Sequence, residues 1–241
     1  WIWDIDFEEL AGQPGTVVFA GGSRAHDLAV RLKYAGIEAA VIENIERDIR
    51  IVKELGLTLR FAVETHVHAD HITAASLLKD RTGAQIVYGG GVSRVVTGAD
   101  LFLSEGQELR FGESALTALA TPGHTDGCTS YVLPGAVSTG DALFVRGNGR
   151  TDLQAGSAAT LFDSVRHKLF ALPDDTVVYP GHDYQGRISS TIGEEKRFNE
   201  RLNLGIDKDS FIELMNRRHQ PKPAKIEIAV PANLRAGRMT R

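Results

Sequence analysis

The chain of 241 residues is 42% hydrophobic and 24% charged, which is ordinary for a globular protein and excludes collagen, coiled coil and extensive disorder. Its formal net charge of -4 at pH 7 offers no basic surface for nucleic acid or for an anionic membrane. We therefore expect a small molecule as the partner.

Short apolar runs typical of strands alternate with stretches in which apolar residues recur at helical spacing. In chain order the pattern predicts a strand at 16–20, a helix at 25–32, a strand at 39–42, a helix at 45–55, a strand at 59–63, a helix at 72–79, strands at 85–88, 108–111, 115–120, 129–133 and 136–138, a helix at 161–169, a strand at 176–179, and then two further helices and a proline-broken tail. This alternation predicts an α/β fold in which layers of helices cover two sheets and polar motifs occupy loops at strand ends.

Eight histidines accompany a single cysteine, Cys128, so any metal must be held by histidine and carboxylate rather than by cysteine sulfur. Five of the histidines fall in three short loops that each follow a predicted strand: His66, His68, His71, His124 and His182. The remaining three are expected to be ordinary surface residues: His26, His167 and His219. Cys128 is predicted to be a small buried side chain rather than a persulfide carrier.

The stretch 66–71, with the sequence His-Val-His-Ala-Asp-His, concentrates four ligand-type side chains. In an extended segment its first two histidines project to the same side, and Asp70 and His71 follow where a helix begins. Burying so many polar groups costs free energy unless a cation compensates them, so this stretch predicts a metal site. Asp141, at the end of a predicted strand, supplies a further carboxylate.

These motifs, taken in order, resemble the metal motifs of the metallo-β-lactamase superfamily. They are the 66–71 stretch, His124, Asp141 and His182. The resemblance covers roughly residues 16–186 and implies an αββα sandwich whose metals lie at loops between the sheets. Hydrolases of that superfamily hold two zinc-type ions on the same set of residues.

Three further elements are similar to the persulfide dioxygenase (sulfur dioxygenase) family: Gly-Arg-Thr-Asp at 149–152, His-Asp-Tyr-Gln-Gly at 182–186 and Pro-Ala-Asn-Leu-Arg at 231–235. This resemblance implies one iron(II) per chain on His66, His124 and Asp141, a set that leaves positions open for O2 and substrate. Four nearby residues would then orient ligands and bound water by hydrogen bonds: His68, Asp70, His71 and His182.

The same resemblance implies glutathione persulfide and O2 as substrates, with sulfite and glutathione as products. Arg150 and Tyr184 fall where glutathione-handling relatives contact a carboxylate and the backbone of glutathione, and Arg235 is a third candidate. Arginine suits this role because its planar fork binds a carboxylate through two hydrogen bonds.

Two other functions stay open, because the spacing of the ligands does not choose between one metal and two. A dinuclear zinc thioester hydrolase of glyoxalase II type would use the full ligand set, although the 149–152 and 231–235 elements argue against it. A non-catalytic metal-binding or scaffold protein is the second alternative, and the intact three-loop motif argues against that.

The first 44 residues depart from the family pattern, because a helix-length insert separates the first two predicted strands. We predict an atypical segment at 1–44, a strand–helix–parallel strand unit that loosely resembles half of a rhodanese domain without its nucleophilic cysteine. It is expected to form one compact unit with a metallo-β-lactamase-type catalytic domain at 45–241. Whether this segment docks a sulfurtransferase partner, and whether the chain forms a homodimer as the family commonly does, is left open.

The expected location is the cytoplasm, with an organelle matrix as the alternative if a leader has been removed. No apolar run approaches the roughly 18 residues of a membrane span. The first ten residues carry four acidic side chains and no basic region of the kind that begins a secretion signal.

Overall fold

The computed structural model describes residues 18–20, 39–41, 45–218 and 220–239. These residues form two compact units. The first holds the described residues up to Leu59 together with Tyr184–Arg187, and the second holds residues 60–183 and those from Ile188 onward. The predicted division into an N-terminal segment at 1–44 and a catalytic domain at 45–241 stays a prediction.

The first unit contains two short strands, β1 (Val18–Ala20) and β2 (Ala39–Val41), which pair in parallel as the sequence predicts. Helix α1 (Ile45–Glu54) follows them, and Gly56 closes its last turn with a φ of +69°, a conformation that glycine adopts without steric cost. The helix predicted at 25–32 lies outside the described residues.

The second unit is built on two sheets. A three-stranded parallel sheet has the order β3–β4–β5, with strands Phe61–Glu64, Gln85–Gly89 and Leu101–Leu103. A six-stranded sheet has the order β11–β10–β9–β8–β7–β6, with strands β6 to β11 at Glu108–Phe111, Ser114–Ala120, Thr129–Leu133, Ala136–Gly140, Val177–Pro180 and Ser190–Thr191. Only the β9–β10 pair of this sheet is parallel, because a long helical connection joins those two strands.

Five α-helices of the described residues belong to the second unit: α2 (Ala75–Thr82), α3 (Ala158–His167), α4 (Ile192–Phe198), α5 (Lys208–Asn216) and α6 (Ile226–Asn233). Helix α3 forms the connection between β9 and β10. It begins at Ser157, whose side chain accepts a hydrogen bond from the Thr160 backbone N–H.

Successive residues of a strand face different hydrophobic clusters, and the second unit therefore has four layers. On β4, Val87 packs against residues of the six-stranded sheet such as Leu116, whereas Ile86 and Tyr88 face the cluster that contains residues of α2 and the region around Ala236. On the other sheet, Val137 packs against α3 and α5. The two sheets therefore stack face to face with helices outside each of them, and the predicted αββα sandwich is confirmed.

Three elements differ from the prediction. Strands β5 and β11 are absent from it, because strands of three and two residues are too short to show alternation. The predicted proline-broken tail is wrong in part, since residues 226–233 form helix α6 with Pro231 inside it. Among the described residues, no helix is long and apolar enough to cross a membrane.

Candidate metal centre

The five loop histidines and Asp141 sit at strand ends that belong to both sheets. The stretch 66–71, here called the metal loop, follows β3 of the three-stranded sheet. His124, Asp141 and His182 follow β7, β9 and β10 of the six-stranded sheet. Because the two sheets are stacked, these ends meet at one edge of the sandwich.

Three of these residues are buried together: His66, His124 and Asp141. Each offers a ligand atom, and these atoms all lie within 4.8 Å of one another. The rings of His66 and His124 have centroids 4.9 Å apart, and Nε2 of His124 lies 3.6 Å from Oδ2 of Asp141. The structure thus brings the three residues that the resemblance implies as ligands into one group that could hold a metal ion.

Hydrogen bonds orient both imidazoles of this site. Nδ1 of His124 is 2.7 Å from the Arg150 carbonyl oxygen, and because a carbonyl only accepts, Nδ1 must carry the proton. Nε2 of His124 is then left with a free lone pair beside Asp141, as a metal ligand requires. The His66 ring is held by a 2.9 Å hydrogen bond between its Nδ1 and the Thr65 hydroxyl.

The electrostatics of the site fit a bound cation. Oδ1 of Asp141 is buried and has no hydrogen-bond partner among the described residues. Burial raises the pKa of Asp141 and lowers the pKa of His66 well below its ordinary value. Gly181 lies so close that a Cβ there would be 2.6 Å from Asp141 Oδ1, so only glycine leaves this oxygen its space. Two imidazoles and one carboxylate are a donor set suited to divalent transition metals.

A second group adjoins the first and consists of His68, Asp70 and His71, with ligand atoms within 4.8 Å of one another. A 3.1 Å hydrogen bond from His71 Nδ1 to Asp70 holds the pKa of Asp70 well below its usual range and raises the pKa of His71. His182 joins the two groups, because its Nε2 lies 3.6 Å from Oδ2 of both Asp70 and Asp141. The number of metals that this arrangement binds stays a prediction.

His68 is fixed by a carboxylate beneath the metal loop. Its Nε2 is 3.1 Å from Oε2 of Glu64, a residue that the sequence analysis did not single out. Its Nδ1 is buried and has no hydrogen-bond partner among the described residues. The ring is therefore held with one nitrogen on Glu64 and the other available to a ligand or a bound water.

The three predicted substrate-binding residues occupy different surroundings. Arg150 forms a two-pronged ion pair with Asp152, at 2.6 Å and 2.7 Å, and also donates to the carbonyls of Gln220 and Pro221. Nε of Arg235 donates to the Arg238 carbonyl at 3.2 Å. Tyr184 belongs to the first unit and its side chain is 81% exposed. Their substrate-binding role stays a prediction.

Two amide side chains that the sequence analysis missed contact the metal loop. Nδ2 of Asn233 donates to the carbonyls of His68 and His71, both at 2.8 Å, and Nε2 of Gln154 donates to the Val67 carbonyl at 2.8 Å. Asn233 lies inside the Pro-Ala-Asn-Leu-Arg element, and Gln154 follows the Gly-Arg-Thr-Asp element by two positions. The sequence feature that could have identified both residues is their position in or beside these two elements.

Two residues outside the ligand set agree with their predicted surroundings. The His167 side chain is 75% exposed and pairs with Asp163, and Cys128 is buried. Burial raises the pKa of the Cys128 thiol to about 11, and its sulfur contacts the backbone N–H and the hydroxyl of Thr125. His26 and His219 lie outside the described residues.

Comparisons with known proteins agree with this geometry. The family model described as the metallo-beta-lactamase superfamily matches residues 20–182. The mouse protein named persulfide dioxygenase ETHE1, mitochondrial, is 48% identical over 204 residues, which is 83% of this chain and 78% of that protein. The crystal structure of ETHE1 from Myxococcus xanthus superimposes with a TM-score of 0.77 at 48% identity, covering 82% of this chain and 86% of that one. A hydroxyacylglutathione hydrolase of Brucella anthropi is 43% identical over 135 residues, but these are 55% of this chain and 51% of that protein.

Proposed function

Because the chain belongs to the metallo-β-lactamase superfamily and, within it, to the persulfide dioxygenases, we propose that it oxidises glutathione persulfide at one iron(II) held by His66, His124 and Asp141. In the net reaction glutathione persulfide, O2 and water give glutathione, sulfite and two protons. The observation that carries the proposal is the buried set of two imidazoles and one carboxylate, whose Asp141 Oδ1 has no partner among the described residues.

The iron, when bound, supplies redox chemistry and open coordination positions for O2 and the persulfide sulfur. The protein contributes orientation. The Arg150 carbonyl keeps the proton of His124 on Nδ1, so that its Nε2 faces the metal position. His182 Nε2 lies 3.6 Å from Oδ2 of Asp141, the same oxygen that faces His124, and so places a second imidazole beside the carboxylate. The ring of Phe144 lies edge-on to His182 with centroids 5.9 Å apart, which places an apolar wall beside the polar groups.

Substrate recognition is proposed for Arg150, Tyr184 and Arg235. Glutathione persulfide carries two carboxylates, and a guanidinium binds a carboxylate most strongly through two parallel hydrogen bonds. The guanidinium fork of Arg150 is occupied by Asp152 and oriented further by two backbone carbonyls, so a substrate carboxylate that binds through two hydrogen bonds would displace Asp152 from it. The side chain is therefore held in place before the substrate arrives.

Metal analysis and oxygen uptake test this function together. The protein is loaded anaerobically with iron(II), the metal per chain is measured, and O2 consumption is followed with glutathione persulfide as substrate. We expect one iron per chain and persulfide-dependent O2 uptake with sulfite as product. Two zinc-type ions with hydrolysis of a hydroxyacylglutathione thioester would instead support the glyoxalase II alternative. Metal binding without either activity would support the scaffold alternative.

The location, the oligomeric state and a protein partner of the enzyme are also proposed. We propose the cytoplasm as its location, with an organelle matrix as the alternative; the name of the mouse relative places that protein in mitochondria. A homodimer is proposed from the family resemblance, and a sulfurtransferase partner from the loose resemblance of the N-terminal segment to half of a rhodanese domain. The insert for which docking of that partner was left open falls largely on residues 21–38, outside the described residues.

A further inference from the structure

We propose that Asn233 and Gln154 are positioning residues that hold the metal loop by its backbone carbonyls and thereby set the geometry of the His66 ligand. Neither residue is a candidate ligand or substrate contact. The inference rests on the metal centre of the proposed function and does not depend on which reaction that centre catalyses.

The side-chain amide of Asn233 forms hydrogen bonds with the metal loop and with a residue that follows it. Its side chain is fully buried, and Nδ2 donates to the carbonyls of His68 and His71 at 2.8 Å each. Its Oδ1 accepts a hydrogen bond from the Thr73 backbone N–H at 2.9 Å. Only a side chain with two donors and an acceptor in this arrangement satisfies all three groups, and an aspartate would place an acceptor against two carbonyls.

Gln154 reaches the same loop from a strained backbone. It has a φ of +46° and Ala155 has a φ of +56°, so two consecutive residues with a Cβ occupy the left-handed region. Such conformations persist where the surroundings enforce them, and they cluster at functional sites. Here the turn directs Nε2 of Gln154 to the Val67 carbonyl at 2.8 Å.

The segment that carries Asn233 is itself fixed by backbone hydrogen bonds. At the end of α6, the Leu234 carbonyl accepts from Thr97 N–H at 2.8 Å and the Ala236 carbonyl accepts from Ser76 N–H at 3.0 Å. The residues that follow Asn233 are thus tied to the body of the second unit. The metal loop is held at three carbonyls from two directions, and His66 is the first residue of that loop.

Cobalt(II) binding tests the proposal without any turnover. The variants Asn233→Asp and Gln154→Ala are compared with the wild type by chelator competition and by the visible absorption of the bound cobalt, which reports ligand geometry. We expect each variant to lose about 10- to 100-fold in cobalt affinity and to change the visible spectrum. Circular dichroism establishes that each variant is folded.

Asn203 provides the matched control, because its half-buried amide also donates to a backbone carbonyl, that of Asn199, at 2.7 Å. Asn203→Ala and Asn203→Asp are expected to keep the wild-type cobalt affinity and spectrum. If Asn233→Asp does not fold, Gln154→Ala decides the question from the other anchor. Wild-type affinity and spectrum in folded Gln154→Ala would overturn the proposal. Absence of persulfide-dependent O2 uptake by the wild type would overturn the proposed function while leaving this inference intact.

Discussion

Burial shifts the pKa of Asp141 and of His66, two of the proposed metal ligands, in opposite directions. Asp141 is 7% exposed and burial raises its pKa, whereas burial lowers the pKa of His66. Both shifts favour the uncharged form when no cation is near. A bound cation stabilises the carboxylate and requires a neutral imidazole, so it compensates the cost of burying Asp141 and uses His66 in the form that burial already favours.

Arg150 provides the first prediction at this scale. Arg150→Lys keeps the positive charge but loses the fork that binds a carboxylate in two places. We expect the KM for glutathione persulfide to rise about 10-fold while kcat changes by about twofold or less, because the contact is present in ground state and transition state alike. Steady-state O2 uptake measures both constants. Arg217→Lys, at a side chain that is 77% exposed, is the control. An unchanged KM would limit Arg150 to a structural role beside Asp152.

Cys128 provides a pH-dependent prediction. Its folded-state pKa of about 11 lies above the ordinary value of 9.0, because burial disfavours the thiolate. The unfolded chain therefore ionises first, and the stability that Cys128 contributes is complete below pH 9 and lost as the pH rises to 11. We expect a loss of roughly 2 to 3 kcal/mol in the free energy of unfolding over this range.

Urea denaturation of the wild type and of Cys128→Ala, from pH 8 to pH 11, isolates this effect. The buried Tyr88 and Tyr131 also have raised pKa values, but they are present in both proteins and cancel in the difference. The wild type should lose more stability than the variant as the pH rises. A difference in stability that stays constant across the range would contradict the assignment.

At the scale of elements, a local pattern predicts loops that follow strands but not contacts between distant elements. Strand β3 and the metal loop could be predicted because an alternating apolar run ends directly at a cluster of histidines. The role of helix α6 could not, since Pro231 interrupts helical spacing and suggests a broken tail. The contacts of Asn233 join residues 162 and 165 positions apart, so no local pattern contains them.

A prediction about a single element concerns the N-terminal cap of helix α3. Its first residues depend on the Ser157 side chain, which accepts from Thr160 N–H, and its buried face supplies Leu161 and Val165 to the core. Ser157→Ala removes that acceptor and should lower the free energy of unfolding by about 1 kcal/mol. Urea denaturation checks this value. Ser93→Ala, at an exposed serine, should leave the stability unchanged within about 0.5 kcal/mol. An equal effect of the two substitutions would contradict the capping role.

At the scale of the whole second unit, a metal held by His66, His124 and Asp141 would join two sheets that otherwise meet through apolar packing and through hydrogen bonds such as the one from the Tyr131 hydroxyl to the Glu64 carbonyl at 2.8 Å. His66 follows a strand of the three-stranded sheet, whereas His124 and Asp141 follow strands of the six-stranded sheet. The three ligands come together only when the sheets are stacked in register. An unfolded chain cannot present them at this separation, so metal binding and the folded arrangement of the sheets are thermodynamically linked.

This linkage predicts that metal raises the unfolding temperature, Tm. At a free iron(II) concentration 100 times its Kd, binding to the folded state alone adds about 2.7 kcal/mol, which corresponds to a rise of roughly 5–10 °C for a unit of this size. Calorimetry under anaerobic conditions, with and without iron(II), measures the shift. His124→Ala should abolish it, because one of the ligands from the six-stranded sheet is gone, whereas His167→Ala, at an exposed histidine outside the site, should retain it. An equal shift in both variants would mean that the metal stabilises the protein from somewhere other than the junction of the two sheets.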